Sequence, residues 1–168
     1  MDAIKKYIIA GTVYMTITGI LMHFLYDLTG KNQIIGFIAP ISESTWEHIK
    51  LLFFPGLFWV LYTYYRLKHI YRGILSPLLL GLITGCISIP VLFYSYSGIL
   101  GFHMFVLDIL TFFAAIFLMF WIICHTLSSS TLPKHENALI FAVILLLAAF
   151  LTFTYFPPNL GIFKPPVA

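Results

Sequence analysis

Glu43, Glu47 and His48 fall in one ten-residue stretch, ISESTWEHIK, at the mouth of an uncharged run, LLFFPGLFWVLYTYY. Two further pairs lie close in sequence: His23 and Asp27 are four apart, on one helix face, and His103 precedes Asp108 by five. Imidazole and carboxylate together form a donor set for a divalent transition metal, zinc above all. Such an ion lowers the pKa of a bound water, and a spare carboxylate can then act as general base. The expected ligands are His23, Asp27, Glu43, His48 and His103, with Glu47 and Asp108 as the catalytic carboxylates. No H-E-x-x-H motif is present, so the residues define a donor set rather than a recognisable zincin.

The elements that must carry these groups are apolar helices. Of the 168 residues 61% are hydrophobic and 9% charged, against roughly 25% charged in a soluble domain. That is too little charge to solvate a globule, so the composition predicts an all-α, polytopic membrane bundle. Five spans are expected, at about 7–28, 45–65, 74–96, 103–125 and 137–156, in a single domain covering residues 1–168. Each is long enough to cross roughly 30 Å of hydrocarbon. Pro55 and Pro90 fall inside the second and third spans and predict kinks. The first apolar run is of spanning length with no A-x-A-like site after it, and reads as an uncleaved helix. Cys86 and Cys124 fall at different depths, so no disulfide is expected.

Lys5, Lys6, Arg66, Lys68, Arg72 and Lys134 would lie on one side of such a membrane, and Lys31, Lys50 and Lys164 on the other. The bias predicts a multi-pass protein of the cell membrane with its N-terminus inside and its C-terminus outside. The cations sit in short tracts between apolar segments, which points to topology and not to nucleic acid. The bilayer is then the first partner. Gly81-x-x-x-Gly85 marks a close helix contact, either within the chain or between two copies.

This topology brings the chemistry together. The first span ends outside, and the second and fourth begin there. Seven of the twelve Asp, Glu and His residues then lie within roughly 10 Å of the outer boundary. His23 shares a helix face with Thr12, Thr16, Gly19 and Tyr26, and Asp108 shares one with Thr111 and Ala115, so both should face other helices. On an ideal helix His103 is rotated well away from Asp108.

Part of the opening stretch has a structural explanation. Ser44-x-x-Glu47 is a capping box, Glu43 suits the helix dipole, Trp46 suits a membrane interface, and Lys50 would snorkel outward. Capping leaves His48 unaccounted for, together with His23, Asp27 and Asp108 at the same depth.

The residues from Ser42 to Pro55, SESTWEHIKLLFFP, resemble a signature that runs approximately [NS]-E-S-x-W-E-H-x-K-L-x-F-x-P. It belongs to a family of small uncharacterised bacterial integral membrane proteins, common in Gram-positive species. The tail TYFPPNLGIFKPP is similar to that family's Pro-Pro tail, and the five-span layout extends the likeness over most of the chain. Ser42 stands where Asn is commoner, and the tail carries neither the His nor the Asp associated with the family. The resemblance implies membrane location and points to Glu43, Trp46, Glu47 and His48, without implying a reaction. The residues themselves support a metal-dependent intramembrane hydrolase acting on a lipid, amide or peptide bond. A proton- or ion-coupled carrier and a sensing or partner-binding module are the alternatives.

Overall fold

A computed structural model describes residues 2–127 and 132–166. Among them are six α-helices and no strand: α1 (Asp2–Leu28), α2 (Gln33–Gly36), α3 (Thr45–Leu67), α4 (Leu75–Leu100), α5 (Phe105–Thr126) and α6 (Glu136–Phe153). Two 3-10 turns, Leu132–His135 and Gly161–Phe163, complete the set. The five long helices match the expected spans to within a few residues, and α3 and α4 continue through Pro55 and Pro90. The side chain of Lys134, one of the expected inner cations, lies outside the described residues.

Four helices are long and apolar enough to cross a membrane: α1 from Ala3, α4, α5 and α6. At 23 residues α3 is long enough as well, at about 34 Å, but it is less apolar. Its first two turns carry Glu47, His48 and Lys50, and its last turns carry Tyr62, Tyr64, Tyr65 and Arg66. It is also the inner helix. More than half of its residues are buried, and it packs on α1, α4 and the Gly161–Phe163 turn. Helices surrounded by other helices need not match lipid, which is why the least apolar one occupies this position.

Elsewhere the distribution of apolar side chains is inverted relative to a soluble fold. Phe24, Phe58, Ile99, Phe105, Phe117 and Phe141 all stand outward on the long helices or their ends, far more apolar surface than a water-soluble monomer exposes. The core lies between α1, α3, α4 and α5, around Met15, Leu52, Phe53, Leu82, Ala115 and Met119. Helix α6 is peripheral, burying only Val143 and Phe150.

Small residues set the helix spacing. A Cβ on Gly81 would come within 2.5 Å of Ile123 Cγ1 and 2.7 Å of the Met119 carbonyl, so α4 and α5 meet there backbone to backbone. The Gly81/Gly85 face is thus covered within the chain itself, by α5 and by Leu52 of α3. On α1 the buried line runs through Gly11, Met15 and Gly19. Gly19 is on the expected stripe and packs on Phe112 and the Leu51 backbone, whereas Thr12 is exposed. Helix α4 ends at Gly101, whose φ of 79° is the left-handed conformation that closes a helix C-terminus. Cys86 and Cys124 are both free, as expected.

Candidate metal centre at one end of the bundle

Antiparallel α1 and α3 place the last turns of α1 beside the first turn of α3. Ser44 is the N-cap of α3, with its Oγ accepting from the Glu47 amide at 3.3 Å. The second half of the capping box is not made. The Ser44 amide donates instead to Ser42 Oγ at 3.4 Å, and the Glu47 carboxylate turns inward.

The Ser44 carbonyl does two things. It accepts the first helical hydrogen bond, from the His48 amide at 3.1 Å, and it lies 2.9 Å from His48 Nδ1. A carbonyl can only accept, so Nδ1 carries the proton and the ring is held against its own helix. A ring N–H donated to a backbone carbonyl is the usual support of a metal-binding histidine, because it leaves the other nitrogen free and aimed.

That other nitrogen, Nε2, lies 3.4 Å from Glu43 Oε2. His23 Nε2 lies 3.8 Å from the same oxygen, and the two imidazole rings are 5.3 Å apart. One donor atom from each of His23, Glu43 and His48 can be chosen so that all lie within 4.8 Å of one another. Two ligands of one tetrahedral zinc ion sit about 3.4 Å apart at metal–ligand distances near 2.1 Å. The His48–Glu43 separation already meets this, and small rotations of His23 bring in the third. Both histidines are about one-third exposed and Glu43 is mostly exposed, so one side of the cluster stays open.

The electrostatics state the requirement directly. A neutral Nε2 and a carboxylate oxygen each present a lone pair, and at 3.4 Å they repel unless a cation lies between them. A proton or a metal ion can fill that place. With His48 protonated, its hydrogen bond holds the Glu43 carboxyl below the usual carboxylate range. Partial desolvation opposes this, and the positive charges of His48 and His23 add to it.

Glu47 points the other way. Its carboxylate takes Lys50 Nζ at 2.7 Å and the Ile41 amide at 2.9 Å, and Lys50 also donates to the Gly36 carbonyl at 3.0 Å. Both side chains are buried, Lys50 completely. Lys50 therefore does not snorkel outward. The partly apolar loop through Gly36 and Ile41 folds over the first turns of α3 and gives the ammonium group acceptors inside. Trp46 is likewise an internal anchor, packed on Phe150, Phe153 and Phe163. The tail is tied down beside it, with Tyr155 OH donating to the Gln33 carbonyl at 2.6 Å.

A second polar cluster stands at the start of α5. Asp108 receives a hydrogen bond from Tyr96 OH and lies 3.3 Å from His103 Nδ1 through its other oxygen. Its helix face is as expected, with Thr111 and Ala115 buried below it. His103 is brought to it because α5 begins only at Phe105. The extended residues before the helix can fold back, which an ideal helix through His103 could not. Tyr96, at the end of α4, has no sequence signal linking it to Asp108 beyond the short connection between the helices. Asp108 is near enough to His48 for its charge to be felt there. Asp27 is exposed at the end of α1, and its carboxylate has no partner among the described residues. Of the five expected ligands, then, His23, Glu43 and His48 come together, His103 joins Asp108, and Asp27 stands apart.

The family model described as "Family of unknown function (DUF6512)" matches residues 1–168, so the chain belongs to that family. No curated protein and no solved structure matches it.

Proposed function

We propose that this member of a family of unknown function is a multi-pass membrane protein holding a divalent metal, zinc above all, on His23, Glu43 and His48. The site lies at the extracytoplasmic end of the bundle if the Lys and Arg bias sets the orientation. The observation that carries the proposal is the His48 ring. Its Nδ1 proton is fixed on the Ser44 carbonyl, and its Nε2 faces Glu43 Oε2 at 3.4 Å with His23 at 3.8 Å from the same oxygen. Two imidazoles and one carboxylate on an open side match the three-ligand sets of hydrolytic zinc sites, whereas structural sites are closed by four protein ligands.

A metal held there supplies Lewis-acid chemistry at its open position. Asp108 orients His103 through Nδ1 and leaves the other ring nitrogen to take or give a proton, the arrangement of a general acid–base pair. Tyr96 fixes the remaining Asp108 oxygen. Glu47 is tied to Lys50, so the proton-transfer role passes from it to the His103–Asp108 pair. Hydrolysis of a lipid, amide or peptide bond near the outer leaflet is the reaction these groups fit best.

Elemental analysis of the purified protein tests this. About one divalent ion per chain is expected, falling at least tenfold in His48→Ala, with hydrolysis of amphiphilic esters lost in parallel. A wild type that stays metal-free after zinc is offered at neutral pH would sink the proposal. That outcome would favour the carrier reading, because a proton satisfies the His48–Glu43 gap as well as a metal does. Proton-dependent uptake in proteoliposomes, lost in Asp108→Asn, would then be its signature.

A further inference from the structure

The opposite end of the bundle carries a second site. The first turns of α1, the last turn of α3 and the residues that follow it line an open cavity of about 600 Å³. Lys6, Arg66, Lys68 and His69 line it together with Tyr7, and none of its described lining residues is acidic. Lys6 and His23 are 17 residues apart on α1, about 25 Å along the axis. That is close to the thickness of a bilayer's hydrocarbon core. With the histidine cluster at one membrane boundary, this cavity falls at the other.

The cations are positioned as well as gathered. Arg66 Nε donates to Tyr7 OH at 3.4 Å, across 59 residues of sequence, a bond that does not use the two terminal amino groups of the guanidinium. Those are the groups that grip a phosphate in bidentate fashion. Lys68 Nζ lies 5.4 Å from the centre of the Tyr65 ring and 5.8 Å from that of Tyr64, so its ammonium is held over aromatic faces. Tyr65 and Ile70, both exposed, give the rim the apolar contacts that an acyl chain or glycerol backbone needs.

We propose that this cavity binds the phosphate-bearing head group of an anionic phospholipid. Topology alone accounts for cations at this end of the helices. It does not account for their convergence, from two distant segments, on one concave site whose described lining residues include no carboxylate. Basic pockets between membrane helices on the cytoplasmic side take such head groups. This site is independent of the metal reading, since no residue is shared.

Native mass spectrometry of the protein released from nanodiscs tests it, with a minority of phosphatidylglycerol in phosphatidylcholine. The wild type should retain phosphatidylglycerol in preference to phosphatidylcholine. Each cation removed should weaken that retention roughly fivefold, so Lys6→Gln/Arg66→Gln/Lys68→Gln should weaken it about a hundredfold. His48→Ala should retain the lipid as the wild type does. If the triple variant loses its helical circular dichroism, Arg66→Gln alone carries the test, at about fivefold. Equal retention of the two lipids by the wild type overturns the proposal. So does displacement of the lipid by millimolar inorganic phosphate, which would make the cavity a phosphate site and not a lipid site.

Discussion

Glu43 and His48 on one side, and Glu47 and Lys50 on the other, come from the same ten residues and have opposite fates. Glu47 and Lys50 are buried, and each has partners: each other, the Ile41 amide and the Gly36 carbonyl. Glu43 and His48 meet His23 with one side open, His48 Nε2 lying 3.4 Å from Glu43 Oε2. Residue type does not separate a structural ion pair from a site. What separates them is whether the charged groups are buried against an opposite charge. A finished, buried pair fixes a loop, and an unfinished, accessible one is a place for a ligand.

Substitutions should expose that difference. The largest effect on stability is expected for Lys50→Met, which strands the buried Glu47 carboxylate and should cost about 3–5 kcal/mol in unfolding measured in detergent. The folded fraction of that variant should still bind metal. His48→Ala should do the reverse, reducing metal content at least tenfold while shifting stability by under about 1 kcal/mol, as expected for a partly exposed side chain. If His48→Ala unfolds the protein as readily as Lys50→Met, the distinction between the two regions fails. Ser44 serves both sides, its Oγ capping the helix and its carbonyl holding His48. Ser44→Ala removes the cap and the hydrogen bond from Ser42 Oγ, and should cost about 1 kcal/mol while keeping the metal.

The smallest effect is on acid sensitivity. Glu43 is held below its ordinary pKa by His48 and His23. The stability this contributes is therefore present above the ordinary carboxylate value and is lost as pH falls through the lowered one. Thermal unfolding of metal-free wild type and Glu43→Gln should differ slightly near neutral pH and converge once the pH has fallen through the lowered Glu43 value. Divergence on acidification would mean that Glu43 makes no favourable contact with the histidines.

The helices were legible because composition and run length dominate in a chain this apolar, and the convergence of distant polar groups followed from the alternating direction of its helices. His23 could be found because it lies on a small-residue face with Gly19, which packs against α3 and α5. Asp27 shares that spacing, but it is exposed in the last turn of α1. The roles of Lys50 and Glu47 were hidden because they depend on how the loop through Gly36 folds back, and no periodicity encodes a loop's path. His103 was misplaced for a related reason: the helix begins two residues later than the apolar pattern suggests. Tyr96 belongs to Asp108 through a turn closed by Gly101, a contact that needs three dimensions to be seen.

The most direct test of the metal centre is zinc K-edge X-ray absorption on protein loaded with one equivalent of zinc. The predicted first shell holds two imidazole nitrogens and a carboxylate oxygen at about 2.0–2.2 Å, with one position left to solvent. Imidazole scattering should drop by half in either His23→Ala or His48→Ala and stay unchanged in His103→Ala. A first shell without imidazole, or one unaffected by removing His23 and His48, would contradict the assignment.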